Sequence, residues 1–189
     1  MTLSIFFYII SFAWIISEIV LSRMKKSDFE NSINDYDKKT LKTIWITILF
    51  SLAIGIFVST FSFGRISILP YQQIIGLILI TLGLLIRWTS ILKLKDSFTV
   101  DVSIRKDQTI IKDGIYKFIR HPSYSGSLLS FLGLSLVFTN VFTILIIVVP
   151  ITIAFLHRIK IEENVLTDVI GTEYVEYSKQ TKKLIPFIY

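Results

Sequence analysis

The sequence contains no cysteine, which rules out disulfides, thiolate nucleophiles and cysteine-ligated metals. Its only two histidines, His121 and His157, are too few for a histidine-rich metal site, so no metal is expected. Charge is scarce as well: Asp, Glu, Lys and Arg make up 18% of the 189 residues against 52% hydrophobic, and the mean hydropathy is +0.66. Such a chain has too little polar surface for a water-soluble fold and room for one domain, so residues 1–189 are expected to form a single integral membrane domain. No glycine-rich strand-to-helix fingerprint is present, which excludes a soluble Rossmann-type cofactor domain. The net charge of +6 does not point to nucleic acid, because no basic helix or nucleic-acid motif appears. Anionic lipid is the expected counter-charge, and no nucleic-acid partner is expected.

What the sequence does have is long apolar runs, at about 4–21, 41–63, 71–92, 122–139 and 141–158. The first has no Lys or Arg before it and no small-residue cleavage site after it, so it reads as a retained span with its N-terminus outside. Its one anomaly is Glu18, an intramembrane acid expected to reach the interface or a neighbouring helix. Arg87, near the inner end of the third run, either snorkels to lipid headgroups or turns inward to a polar site. The last two runs are broken at Asn140. Each is about 27 Å long at ~1.5 Å per residue, enough to cross a ~30 Å core, so they read as a tight helical hairpin, with Pro150 kinking the second arm.

Lys and Arg alternate between the connections. None precedes the first run, six lie in 23–42, one between runs two and three, seven in 93–120, none at Asn140, and five from Arg158 onward. By the positive-inside rule this gives five spans, N-terminus outside and C-terminus inside, in the cell inner membrane. The polar stretch 113–126 and the C-terminal tail then share the cytoplasmic face. A short extended run is expected at 97–104, and a short amphipathic helix in the tail from 166, carrying Tyr174 and Tyr177 and ending near Pro186.

Two polar constellations stand at the membrane edge. In 113–126, Arg120 and His121 are packed with the hydroxyls of Tyr116, Ser123 and Tyr124. Pro122, with φ preset and no N–H to lose, suits the first turn of the following helix. His121 therefore falls at that helix's N-terminus, where free N–H groups, the helix dipole and Arg120 favour a small anion such as a carboxylate or phosphate; composition alone equally allows a juxtamembrane loop whose basic residues meet lipid headgroups. In 157–163 the last helix continues out of the membrane. Arg158 and Glu162 are four apart and share a face, an i,i+4 ion pair, while Glu163 lies about 100° round from Glu162.

Together these residues form one pattern: Gly114-Ile-Tyr116, Arg120-His121-Pro122-Ser-Tyr124, then after the hairpin Arg158-x-x-x-Glu162-Glu163-x-x-Leu166, Gly171-Thr-Glu-Tyr174-x-x-Tyr177, and Pro186. This pattern resembles the isoprenylcysteine carboxyl methyltransferase family, whose prokaryotic members and related phospholipid N-methyltransferases share it. The resemblance covers 87–186; Lys182-Lys183 depart from it where many relatives have an arginine. It implies a five-span, all-α enzyme using S-adenosylmethionine on a lipid-soluble acceptor. The resemblance implies a cofactor pocket walled by Tyr116, Arg120, His121, Pro122 and Tyr124 and closed by the pair Glu162 and Glu163; their ~100° separation puts Glu163 towards the cofactor and Glu162 nearer the reacting acceptor, where Arg158 and Arg87 are the candidate catalytic arginines. A carboxylate acceptor would be oriented by arginine; an amine acceptor, as on a phospholipid, would need Glu162, Glu163 or His121 to take a proton. A sterol-reductase-like NADPH enzyme would share the C-terminal hairpin but be larger, and a non-enzymatic membrane scaffold would use the motifs only as anchors.

Overall fold

The computed structural model describes residues 2–24, 35–66, 71–94 and 110–189. The extended run expected at 97–104 lies outside them. Among the described residues there are six α-helices: α1 (Thr2–Met24), α2 (Asp35–Ser59), α3 (Gln72–Leu94), α4 (Pro122–Val137), α5 (Val141–Ile170) and α6 (Thr172–Gln180). A 3₁₀ turn at Gly114–Lys117 precedes α4. Three helices are long and apolar enough to cross a membrane, Lys39–Ser59, Gln72–Leu94 and Val141–Ile170; the apolar run Ile9–Leu21 in α1 is shorter. At ~1.5 Å per residue, the 16 residues of α4 reach about 24 Å. The outward faces of these helices carry large apolar side chains, among them Phe12, Leu49, Phe57, Leu85 and Ile153, all more than half exposed, a surface that hydrocarbon accommodates and water does not.

Small residues set the closest helix packing. A Cβ on Gly126 of α4 would lie 2.5 Å from the Gly83 carbonyl and 2.7 Å from the Arg87 amide of α3. One on Gly133 would lie 2.5 Å from the Gly76 carbonyl. Where lipid tails are as apolar as leucine, such close backbone approach supplies the packing energy that burial supplies in water. The Ser130 hydroxyl adds a hydrogen bond to the Ile80 carbonyl at 3.3 Å. On the other side α2 meets α5, where the Thr143 hydroxyl donates to the Gly55 carbonyl at 3.0 Å. Between these pairs sits one core cluster, Trp14, Ile44, Ile80, Phe131, Ile147, Ile151 and Phe155, drawing on α1 to α5.

Three boundaries differ from the sequence expectation. The second run is helical only to Ser59, because residues 60–66 turn back to pair with the start of α5: Val141 N–H donates to the Gly64 carbonyl at 2.9 Å and Ile66 N–H to Thr139 at 3.0 Å. Gly64, at φ 73, provides the left-handed residue this turn requires. The turn between α4 and α5 is organised by Asn140, fully buried, whose Oδ1 caps α5 through Phe142 N–H (2.9 Å) and Thr143 N–H (3.2 Å) while Nδ2 donates to the Phe63 carbonyl at 2.9 Å. Finally, α5 runs through Pro150 and on to Ile170, so 166–170 belong to it rather than to the tail helix. The break comes at Gly171 (φ 74), and α6 ends at Gln180, short of Pro186.

Candidate active site

α4 begins as its sequence dictates, with Pro122 at the first helical position and His121 before it. Tyr124 and Ser125 N–H groups both donate to the His121 carbonyl, at 3.1 and 3.2 Å. The residues upstream are tied to the C-terminal segment by a short parallel pairing: Arg120 N–H donates to Lys182 O (2.8 Å), His121 N–H to Lys183 O (3.1 Å) and Lys182 N–H to Phe118 O (3.0 Å). Three side chains reinforce it. The Ser125 hydroxyl donates to Leu184 O at 2.6 Å and the Tyr177 hydroxyl to Tyr116 O at 2.7 Å. Arg120 Nη1 donates to Ser178 O at 2.9 Å and to the Thr181 carbonyl.

Glu163 is the centre of this arrangement. Its Oε1 accepts from Arg120 Nε at 2.9 Å and faces His121 Nε2 at 3.3 Å, and its Oε2 pairs with Lys183 Nζ at 2.9 Å. Beside Arg120 and His121, where a small anion was expected, the structure thus places the chain's own Glu163. Lys183 makes a single-point contact, as expected where a lysine stands in place of a forked guanidinium.

Glu162 points elsewhere. The Tyr124 hydroxyl donates to Glu162 Oε2 at 3.1 Å and accepts from Arg158 Nε at 3.2 Å. Among the described residues the expected direct Arg158–Glu162 ion pair is therefore replaced by one mediated by a phenol, because Tyr124 inserts between them from α4. Arg158, only 3% exposed, also donates from Nη1 to the Thr40 hydroxyl at 2.7 Å, bringing the start of α2 to the site. Glu162 Oε1 stands 3.9 Å from His121 Nδ1, beyond hydrogen-bond reach, so this oxygen retains capacity to accept. Tyr124 rests on the core through an edge contact with Phe155, centroids 5.2 Å apart.

Arg87 turns inward, to a different set of partners. Its Nη2 and Nε meet the two oxygens of Glu18, both at 2.6 Å, and its Nη1 donates to the hydroxyls of Ser123 (3.0 Å) and Ser127 (2.8 Å). This intramembrane pair joins α1 and α3 to the first turns of α4, directly beside Tyr124. Glu18 drew attention in the sequence only as an anomalous acid. Thr40 and Ser127 gave no signal, since each becomes relevant only through a partner distant in sequence.

Tyr116 and Tyr174 complete the surroundings. Tyr116 donates to the Ser90 carbonyl at 3.2 Å, and burial, then the charge of Glu162, raise its phenol well above the ordinary value. Burial and then Arg120 and Thr181, acting in the opposite direction, leave Tyr177 at about 12. Tyr174 is buried with its hydroxyl lacking any hydrogen-bond partner in the structure, and burial followed by the charges of Glu163 and Glu162 pushes its phenol up. An orphaned buried hydroxyl beside a glutamate pair is costly without a ligand to satisfy it.

The family profile described as phospholipid methyltransferase matches residues 71–173, more than half of the chain. Protein-S-isoprenylcysteine O-methyltransferase B of Arabidopsis thaliana is 34% identical over 115 residues, covering 60% of this chain and 58% of that protein. The protein-S-isoprenylcysteine O-methyltransferase of Saccharomyces cerevisiae is 30% identical over 139 residues, covering 69% and 58%. The chain thus spans less than two thirds of the length of these curated relatives. The solved structure of the eukaryotic intramembrane Ras methyltransferase ICMT (isoprenylcysteine carboxyl methyltransferase) superposes with a TM-score of 0.58 at 26% identity, covering 82% of this chain and 55% of that one. With Arg120, His121, Tyr124, Glu162 and Glu163 brought together inside the matched region, the chain belongs to the phospholipid methyltransferase family.

Proposed function

We propose that the protein is an S-adenosylmethionine-dependent membrane methyltransferase whose acceptor is the carboxylate of an isoprenylcysteine-like molecule. The observation that carries this reading is the cluster at the start of α4, where Tyr124 links Glu162 to a buried arginine while Glu163 is held by Arg120, His121 and Lys183. Similarity to the isoprenylcysteine methyltransferases supports the acceptor class.

The residues present fit a sulfonium donor. Glu162 Oε1 has capacity for an ammonium or ribose hydroxyl, the Tyr174 hydroxyl lacks a partner, and neutral phenols and carboxylates are compatible with a cation. Tyr116, Arg120, His121, Pro122, Tyr124 and Glu163 form the cofactor side in this reading. The donor supplies an electrophilic methyl group; the rest of the task is alignment in a dry site. Arg158 orients the acceptor carboxylate, which needs no base because it is already ionised at neutral pH, and Glu162 fixes Arg158 through Tyr124. Arg87 holds the first turn of α4 from behind. Five spans, with the N-terminus outside and this site on the cytoplasmic side of the cell inner membrane, follow from the distribution of Lys and Arg.

A phospholipid amine is the second reading, favoured by the matched family profile itself; there Glu162 or His121 would take the proton. Thermal unfolding of the detergent-solubilised protein tests the donor: S-adenosylhomocysteine should raise the transition and NADPH should not. Stabilisation by NADPH alone, or by neither, would overturn the methyltransferase reading.

A further inference from the structure

Beside the Glu163 centre lies a cavity of about 290 Å³, of whose lining the reading above uses only Arg120. Four cationic side chains line it, Arg120, Lys179, Lys182 and Lys183, together with the last residue, Tyr189, and no Asp or Glu side chain is among the described residues of its wall. Arg120 and Lys183 are neutralised by Glu163, but the exposed side chains of Lys179 and Lys182 have no ion-pair partner among the described residues. The volume suits a small polar group rather than a whole lipid.

The rim of the cavity has the opposite character. Ile188 lines it and is 73% exposed; next to it Phe187 is 82% exposed and meets Phe118, itself half exposed, in a tilted contact with centroids 6.1 Å apart, and Ile185 is half exposed too. Two aromatic rings and two isoleucines standing in the open beside uncompensated lysines match the two halves of a phospholipid, a phosphate and its acyl chains. A free inorganic anion would have no use for the apolar rim. A zwitterionic headgroup would carry its own cation into a wall that already has two in excess.

We propose that this cavity binds the headgroup of an anionic phospholipid, with the phosphate against Lys179 and Lys182 and the acyl chains along Ile188, Phe187 and Phe118. The site does not depend on the methyl-transfer reading. Because Arg120 and Lys183 both line the cavity and hold Glu163, the bound headgroup lies one side chain from the candidate active site.

The test uses the full chain in a zwitterionic detergent with dioctanoyl phosphatidylglycerol, dioctanoyl phosphatidylcholine or inorganic phosphate as the probe. Phosphatidylglycerol should raise the thermal transition and bind at least ~10-fold more tightly than phosphatidylcholine, and phosphate at equal concentration should do neither. The Lys179→Ala/Lys182→Ala double variant should weaken phosphatidylglycerol binding roughly 30-fold, from about 5-fold for each lysine at an anionic surface. A Lys42→Ala/Lys160→Ala variant, removing the same charge from exposed positions elsewhere, should stay within about 3-fold of the parent. Both double variants should unfold like the parent without lipid, since all four side chains are exposed. Equal binding of the two lipids, an equal effect of phosphate, or equal losses in the two double variants would overturn the proposal.

Discussion

Glu163→Gln should destabilise the protein far more than a surface substitution, and the structure gives the size of the effect. The carboxylate meets Arg120, His121 and Lys183 within 3.3 Å, and Arg120 and His121 have side chains only 8% and 4% exposed. A glutamine keeps one acceptor oxygen, enough for Arg120 or His121, but turns an N–H₂ towards Lys183 or towards the other partner. Removing one partner from a buried, hydrogen-bonded charge pair costs about 3–5 kcal/mol. The Lys183 contact adds little, because that side chain is 31% exposed and solvent screens it. The expected loss is therefore about 3–4 kcal/mol, read from reversible unfolding in mixed micelles by tryptophan fluorescence. Amide exchange should localise the damage: Lys182 N–H, Arg120 N–H and His121 N–H, which carry the parallel pairing, should exchange faster while α2 and α5 near Asn140 do not. A loss below about 0.5 kcal/mol, or uniform acceleration of exchange, would refute Glu163 as the centre that holds the C-terminal segment to α4.

Glu18→Gln should cost a similar ~3–5 kcal/mol, measured the same way, since it leaves the Arg87 charge in the membrane with neutral acceptors alone, the new amide oxygen, Ser123 and Ser127, among the described residues; recovery of stability in Glu18→Gln/Arg87→Met would confirm that the uncompensated charge is the cause. Tyr124→Phe removes both the donor to Glu162 and the acceptor from Arg158. Steady-state kinetics should show kcat lowered on the order of 10- to 100-fold with the KM for S-adenosylmethionine changed little, and a change confined to KM would move Tyr124 to the cofactor side alone.

Local features of this fold were readable because they depend on local chemistry. Pro122 opens α4 where a residue with fixed φ and no N–H belongs, and Asn140 separates two apolar runs because its side chain can cap the second. The ends of α2 and α5 were less legible. Residues 60–63 are apolar or small and continue the run, but the chain turns there to pair with 139–141, a partner some eighty residues away. Conversely, the charges of 158–168 do not end α5, since charged residues extend a helix as readily as they flank one; only Gly171 with its positive φ does. The site divides the same way. That Glu162 and Glu163 have different partners follows from their ~100° separation, but Tyr124 standing between Arg158 and Glu162, Arg87 reaching Glu18 and Thr40 meeting Arg158 all depend on how helices pack. Spacing within one helix carries no information about a side chain that enters from another.

The most direct test of the account is methyl transfer itself. The protein, reconstituted in proteoliposomes containing phosphatidylethanolamine, would receive S-adenosylmethionine labelled in its methyl group and an S-farnesylated cysteine derivative with a free α-carboxylate. The account predicts label in the farnesylcysteine fraction that alkali releases as methanol, as a carboxyl ester requires, with Arg158→Ala lowering kcat/KM by about 100-fold or more. Alkali-stable label in phosphatidylethanolamine would transfer the site to amine methylation, and no label in either acceptor, with S-adenosylhomocysteine failing to bind, would contradict the account.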